Sequence, residues 1–376
     1  MPFVMHNNTT DLVIFVVLLM SAVTLNAQSI LQGKVLNEAT GMPLQGASIY
    51  FNNTSLGTSS NTEGKFSITL PNMQNAELII SSVGYERLVY KPTAETVQNK
   101  MTVFKLSPKE VQLKEVLILT DAVRKKYLGI FEREFLGITE EASHSSIENK
   151  RDIYFTSGGN KNSFRAYSDT PLVIINKMLG YKISFELVEF FYDQKSGSTS
   201  YYGYTRFDEL GEKKRWINNR KNCYYGSTVH FYRSLLANRL KAEGYQVFMI
   251  MPLRQISDSN KNDASHPAPQ QMDVATEITA AQIITADNAN SNNYNVVIPG
   301  KLMVQYGKNP SSKNYLSRNT FIQGSLPTGF RSYVTVVGQT ISLNNSGIIN
   351  NPMDVQYAGY WIYEKAANML PNNYMP

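Results

Sequence analysis

At 376 residues the chain has room for roughly two or three domains, and its 42% hydrophobic content supplies ample core material. A formal net charge of +6, with only 18% charged residues and no recognition motif, argues against a nucleic-acid partner and is compatible with peripheral attachment to an anionic envelope surface. The one cysteine, Cys223, cannot make an intramolecular disulfide or a thiolate zinc cluster.

Residues 1–27 read as a targeting segment. Leu12 to Leu19 is an unbroken apolar run that continues through Met20, Ala22, Val23 and Leu25 and ends in small and polar residues, with Ala27 at the expected cleavage point. The run is about 14 residues, nearer a signal-peptide core than a membrane span. No Lys or Arg precedes it, so an uncleaved anchor is the alternative. No cysteine follows it, so lipoprotein acylation is not expected.

Residues 28–108 show seven short candidate strands: Ile30–Leu36, Ala47–Phe51, Leu56–Ser60, Lys65–Leu70, Ala76–Ser82, Tyr85–Pro92 and Met101–Leu106. Breaks such as Gly41-Met42-Pro43, Asn52-Asn53 and Glu63-Gly64 carry turn chemistry. Seven strands in about 80 residues predict an aligned β-sandwich. Three ordered motifs then carry a resemblance. They are G-K-V-L-N-E-A-T-G-M-P-L-Q-G-A-S-I-Y from Gly33, L-G-T-S-S-N-T-E-G-K-F-S-I from Leu56 and L-I-I-S-S-V-G-Y-E from Leu78. Together they resemble the carboxypeptidase-like regulatory domain, a transthyretin-like sandwich common on exported bacterial proteins and also found ahead of the plug in TonB-dependent glycan transporters. The resemblance implies a structural or adhesive unit. Residues 28–108 hold no His and no Cys, so a His-based zinc peptidase site cannot be built there.

Residues 109–126 form a connector with an apolar strand at Val111–Leu119. A β-rich domain is expected over 127–376. It opens with a short helix whose Tyr127, Phe131 and Phe135 share a face, closed by Gly137. Strands are expected at Ile153–Thr156, Phe164–Tyr167, Leu172–Ile175, Lys182–Tyr192 and Thr199–Phe207, the last two forming a hairpin. Strict alternation in the fourth puts Ile183, Phe185, Leu187 and Glu189 on one face and Phe190 on the other.

The stretch Glu212–Gly244 predicts one long bracing helix, with Trp216, Arg220, Tyr224, Ser227, Phe231 and Leu235 on its buried face and Gly244 as its C-cap. Cys223 falls inside it and reads as a buried small apolar residue. Tyr245–Leu253 is a strand, 255–271 a polar loop, and further strands are expected at Glu277–Thr285, Asn295–Ile298, Lys301–Tyr306, Thr320–Ile322, Tyr333–Val337 and Thr340–Leu343. Trp361, Lys365, Ala366 and Met369 predict a last helix. The motifs F-E-R-E-F-L-G at Phe131, L-G-Y-K-I at Leu179, R-W-I-N-N-R at Arg215, Y-G-S-T-V-H-F-Y-R-S-L at Tyr225 and G-Y-W at Gly359 resemble the region that follows the same sandwich in other exported bacterial proteins. That family implies no activity. Its members often carry a cysteine near position 146, where this chain has Ser145-Ser146.

Candidate chemistry centres on the long helix. Arg215, Trp216, Arg220, Tyr224, Ser227, His230 and Arg233 are the candidate binding residues, and no catalytic or metal-ligating set is expected. Ser227 and His230 stand three apart, but they lack an orienting carboxylate and a nucleophile elbow. Asp258, Asn260 and Asn262 begin a calcium loop that fails at Asp263 and Pro269. No cofactor is expected. The chain is thus read as mainly β with added helices: a seven-stranded transthyretin- or Ig-like sandwich, then a larger antiparallel unit. The function expected is a non-catalytic exported binding or scaffold protein of the envelope, in periplasm or outer membrane, with a glycan or an envelope protein as partner. The alternative is a hydrolase of an envelope polymer acting through the 212–244 region.

Overall fold

The computed structural model describes residues 29–71, 76–93, 96, 101–109, 119–252, 273–287, 293–307 and 330–376. The apolar run of 1–27, most of the connector strand, the polar loop and the strand expected at Thr320–Ile322 lie outside these residues.

All seven expected strands form the amino-terminal sandwich: β1 (Ile30–Asn37), β2 (Ser48–Phe51), β3 (Gly57–Ser59), β4 (Lys65–Thr69), β5 (Leu78–Ser81), β6 (Leu88–Tyr90) and β7 (Thr102–Leu106). They make two sheets, ordered β4-β1-β7 and β3-β2-β5-β6. Alternation places Leu31 and Val35 of β1 inward, against Ile49, Phe51, Phe66, Ile80 and Phe104.

The next region holds α1 (Asp121–Leu136), α2 (Glu140–Ser143), β8 (Ser145–Ile147), β9 (Ile153–Ser157), β10 (Ser163–Ser168), β11 (Leu172–Asn176), β12 (Tyr181–Asp193) and β13 (Ser198–Glu209). Helix α1 starts within the expected connector, because Thr120 accepts the Val123 amide and provides the N-cap there. The strand β8 carried no pattern of its own. A bulge between Leu187 and Glu189 corrects the expected alternation of β12. It turns Phe190 and Tyr192 onto the same buried face as Ile183, Phe185 and Leu187. There Phe131 of α1 meets Phe190 at 4.7 Å and Phe135 meets Phe185 at 4.9 Å between ring centroids.

The single long helix expected over 212–244 is instead three: α3 (Lys214–Tyr224), α4 (Thr228–Leu236) and α5 (Leu240–Glu243). Gly226 stops α3 with φ of 87°, and Ser227 restarts the chain as the N-cap of α4, accepting the His230 amide at 3.2 Å. Asn238, at φ of 53°, makes the second break, and Gly244 caps α5 as expected. The breaks let one segment serve two cores. Helix α3 grips the turn before β12: Trp216 Nε1, Asn219 Nδ2 and Arg220 Nε donate to the carbonyls of Lys177, Met178 and Leu179 at 2.8–2.9 Å. Helix α4 instead sends Phe231 and Leu235 into a separate cluster with Tyr245, Leu302, Val334 and Trp361.

That second cluster is enclosed by β14 (Tyr245–Pro252), β15 (Asp273–Glu277), β16 (Ile284–Ala286), β17 (Asn293–Val297), β18 (Lys301–Tyr306), β19 (Phe330–Val336), β20 (Thr340–Asn344) and β21 (Val355–Gly359). The strands form sheets ordered β15-β14-β18-β19-β21 and β16-β17-β20. The described residues of region 127–376 therefore form two hydrophobic clusters rather than one continuous core. The strand expected over Glu277–Thr285 is interrupted by a 3-10 turn at Ala280–Gln282, fixed by a reciprocal Thr279–Gln282 capping box. The last expected helix is two 3-10 turns, Tyr360–Tyr363 and Ala366–Asn368. Extended backbone at Glu364 and Lys365 separates them, because Trp361 fills one cluster and Ala366 the other.

The sandwich docks on β12 and β13. Glu186 accepts the Tyr50 hydroxyl at 2.7 Å, the Ser81 hydroxyl at 2.8 Å and Arg87 Nε at 2.6 Å. This buries a charge with its partners supplied, and the carboxylate and burial together hold the Tyr50 phenol well above its ordinary range. The turn after β2 extends the contact along the edge of β13: Asn53 N–H donates to Thr205 O, and Phe207 N–H donates to Thr54 O.

Phe231 is fully buried and Arg215 is exposed. Phe231→Ala is expected to cost about 3–5 kcal/mol in denaturant unfolding. Arg215→Ala is expected to cost less than about 0.5 kcal/mol.

Candidate functional site

The candidate residues do not form one ligand surface. Arg220 is buried, with its guanidinium 3.9 Å over the Tyr181 ring, bonded to the Leu179 and Gly180 carbonyls and paired with Glu209 at 3.1 Å. Trp216 lies over Gly180, whose added Cβ would stand 2.2 Å from the indole. Ser227 spends its hydroxyl on the cap of α4. Arg233 reaches the other way, donating to the carbonyls of Ser346, Asn372 and Tyr374 at 3.2, 2.7 and 2.8 Å. Trp216, Arg220, Ser227 and Arg233 thus hold the fold together, while Arg215 stays on the surface beside the Trp216 ring.

His230 is buried in a cage of tyrosines, with the rings of Tyr224, Tyr225 and Tyr245 at 5.0–5.2 Å. Gly226 N–H donates to its Nδ1 at 3.1 Å, and the Tyr245 hydroxyl lies 2.9 Å from the same nitrogen. That makes Nδ1 the acceptor and gives Nε2 the proton. Nε2 faces Glu243 at 3.6 Å, and Glu243 pairs with Arg239 at 2.9 Å. The imidazole therefore ties the α3–α4 joint to β14.

Tyr224, His230 and Arg233 also line one side of a cleft of about 800 Å³. The opposite side brings in residues that sequence spacing did not connect: Tyr294 of β17, Asn345 and Ser346 after β20, and Asn372, Asn373 and Met375. Tyr225 stands 45% exposed at its edge. The Asn- and Tyr-rich composition was the only sequence signal for these positions, because they converge from three distant stretches.

A second cavity of about 200 Å³ lies behind α4, between Cys223, Thr228, Glu364 and Asn368. The Cys223 thiol donates to Asn368 O, and burial pushes it well above its ordinary range, as suits a packed and unreactive sulfur. Glu364 accepts the Thr228 amide and hydroxyl, both at 3.3 Å. Desolvation nevertheless pushes its carboxyl up to about 8. Among the described residues, no group of three His, Cys, Asp or Glu side chains could hold a metal ion.

Residues 31–118 match the CarboxypepD_reg-like domain. The match covers the whole sandwich and runs past β7 into the expected connector. A CarboxypepD_reg-like domain is a regulatory, non-catalytic unit. No curated protein matches the chain. Among solved structures, a 9R-lipoxygenase from Cyanothece PCC8801 shares 9% identity over 58% of this chain, with a TM-score of 0.17, and carries no argument. The chain spans 48% of that protein's length. Neither the cleft nor the Glu364 cavity is lined mainly by the CarboxypepD_reg-like domain, which contributes only Asn53 to the smaller one.

Glu364 gives a pH test. Its folded value lies above its ordinary 4.5, so its contribution to stability is complete below about pH 4.5 and is lost as pH rises towards 8. Glu364→Gln keeps an acceptor for Thr228 and removes the ionisation. Thermal melts from pH 4 to 9 are expected to show the variant gaining on the parent steadily between those values.

Proposed function

We propose that this is a non-catalytic, exported binding or scaffold protein of the bacterial envelope, and that its 800 Å³ cleft takes a glycan. The cleft lining carries the reading. Its two oppositely charged residues, Arg239 and Glu243, neutralise each other, and Arg233 spends its charge on backbone carbonyls. What is left to a ligand is phenol and amide: Tyr225 and Tyr294 with Asn345 and the Nδ2 group of Asn372, the Asn373 amide being bonded to Ser55. Tyrosine faces cover the apolar faces of a sugar ring, and amides match hydroxyl groups as both donor and acceptor. The volume suits a short oligosaccharide. The apolar run of 1–27 supports export, and with it a cleft in the periplasm or at the outer membrane. A net charge of +6 is compatible with peripheral attachment to an anionic surface.

A neutral-glycan array with the purified chain is expected to show retention that Tyr225→Ala and Tyr294→Ala each lower by up to about tenfold. Unchanged retention in both variants would remove the cleft from the binding surface. The rival hydrolase reading rests on Ser227, His230 and Arg233, of which His230 and Arg233 line the cleft. His230→Asn decides between them. A scaffold role predicts a lower melting temperature and no separate functional loss. A general base predicts a nearly unchanged melt and turnover of an envelope polymer reduced by about 10² or more. Export itself is checked by intact mass from the envelope, where the expected species begins near residue 28.

A further inference from the structure

The cleft has one wall that belongs to no sheet. It is the segment 372–376, which supplies Asn372, Asn373 and Met375. Two anchors hold this segment, and they come from different parts of the molecule. One is Arg233 of α4, whose guanidinium takes the carbonyls of Asn372 and Tyr374 and, through Nε, the carbonyl of Ser346 on the facing loop. The other is the turn after β2 in the sandwich. There Asn372 N–H donates to Asn53 O at 2.6 Å, and Asn53 Nδ2 donates to Asn372 Oδ1 at 2.8 Å. Ser55 N–H donates to Asn373 Oδ1 at 3.1 Å, while Asn373 Nδ2 donates back to Ser55 Oγ at 2.9 Å.

We infer that the sandwich regulates the cleft: its Asn53–Ser55 turn positions the 372–376 wall, and through Arg233 the facing 344–348 loop. Both anchors are made of hydrogen bonds, with the Tyr374 ring also 6.0 Å from that of Tyr224, and the sandwich anchor is the part of the wall's placement that the domain contact sets. Two reciprocal amide pairs at adjacent residues fix both its height and its rotation. The other end of the same turn is fixed on β13 by Asn53 N–H to Thr205 O and by Phe207 N–H to Thr54 O. A shift of the sandwich over β12 and β13 therefore moves the wall with it. Asn53 and Ser55 are positioning residues: neither lines the cleft. The inference rests on the cleft being the ligand site, and it supplies that site with a means of control from the non-catalytic domain.

The test needs no ligand, so its outcome is read separately from that of the glycan array. Asn53→Gly with Ser55→Ala in the full chain removes both side-chain bonds. Gly suits the φ of 55° that Asn53 holds, so the turn itself survives. Hydrogen–deuterium exchange is then read by mass spectrometry across the whole chain. The expected result is exchange at 370–376 and 344–348 faster by about tenfold, with β1, β5, β12 and β18 unchanged. Should the double variant lose global protection, Asn53→Gly alone is expected to give the same pattern at smaller amplitude. Faster exchange confined to residues 52–56, or spread evenly over all strands in both variants, overturns the inference.

Discussion

Everything after the sandwich depends on the joint at Gly226-Ser227. Before it, α3 is committed to the turn at Lys177–Gly180 and to the cluster around Phe131 and Phe185. After it, α4 is committed to the cluster around Phe231 and Trp361. The joint is fastened on every side. Gly226 N–H goes to His230 Nδ1, Gly226 O accepts Trp361 Nε1 at 2.8 Å, and Ser227 caps the helix that follows. Gly226 is also pressed against Tyr306, where an added Cβ would come within 2.9 Å of the ring. Two clusters that share no sheet are held in register by these few bonds.

This explains why the motif-bearing residues look functional in the sequence and are structural in the fold. An arginine taken out of water must find acceptors: buried Arg220 finds carbonyls at the turn before β12, and half-buried Arg233 finds them along an irregular segment. Such pairings cross from 40 to 141 positions in sequence, which no local pattern reveals. The cleft instead joins part of one motif, Tyr225, His230 and Arg233, to residues with none, Tyr294, Asn345 and Asn372.

The sandwich was legible nearly strand by strand, because β1 and β4 alternate, β2 and β5 are short apolar runs, and turn residues separate them. The hairpin of β12 and β13 was legible too, apart from its bulge, which breaks the period without leaving a Gly or Pro to mark it. The long helix misled because its periodicity runs through Gly226 with little change of phase. The N-cap chemistry of Ser227 was visible there, and its meaning was masked by the apolar stripe on either side. The likeness to the CarboxypepD_reg-like domain is carried by residues 31–118, which hold the three sandwich motifs.

The segment from Trp361 to Met375 enters each part of the molecule in turn. Trp361 completes one cluster, Ala366 and Ala367 another, and Asn372 and Asn373 reach residues 318 and 319 positions away in the sandwich. Contacts of that span are formed late, since a long loop must be closed before they contribute anything. The two larger clusters and the domain contact therefore wait on the same short stretch of chain. Until that stretch docks, both clusters lack part of the cover over their aromatic surfaces. A chaperone that shields such surfaces would have its longest working time on this protein just before residues 361–375 dock.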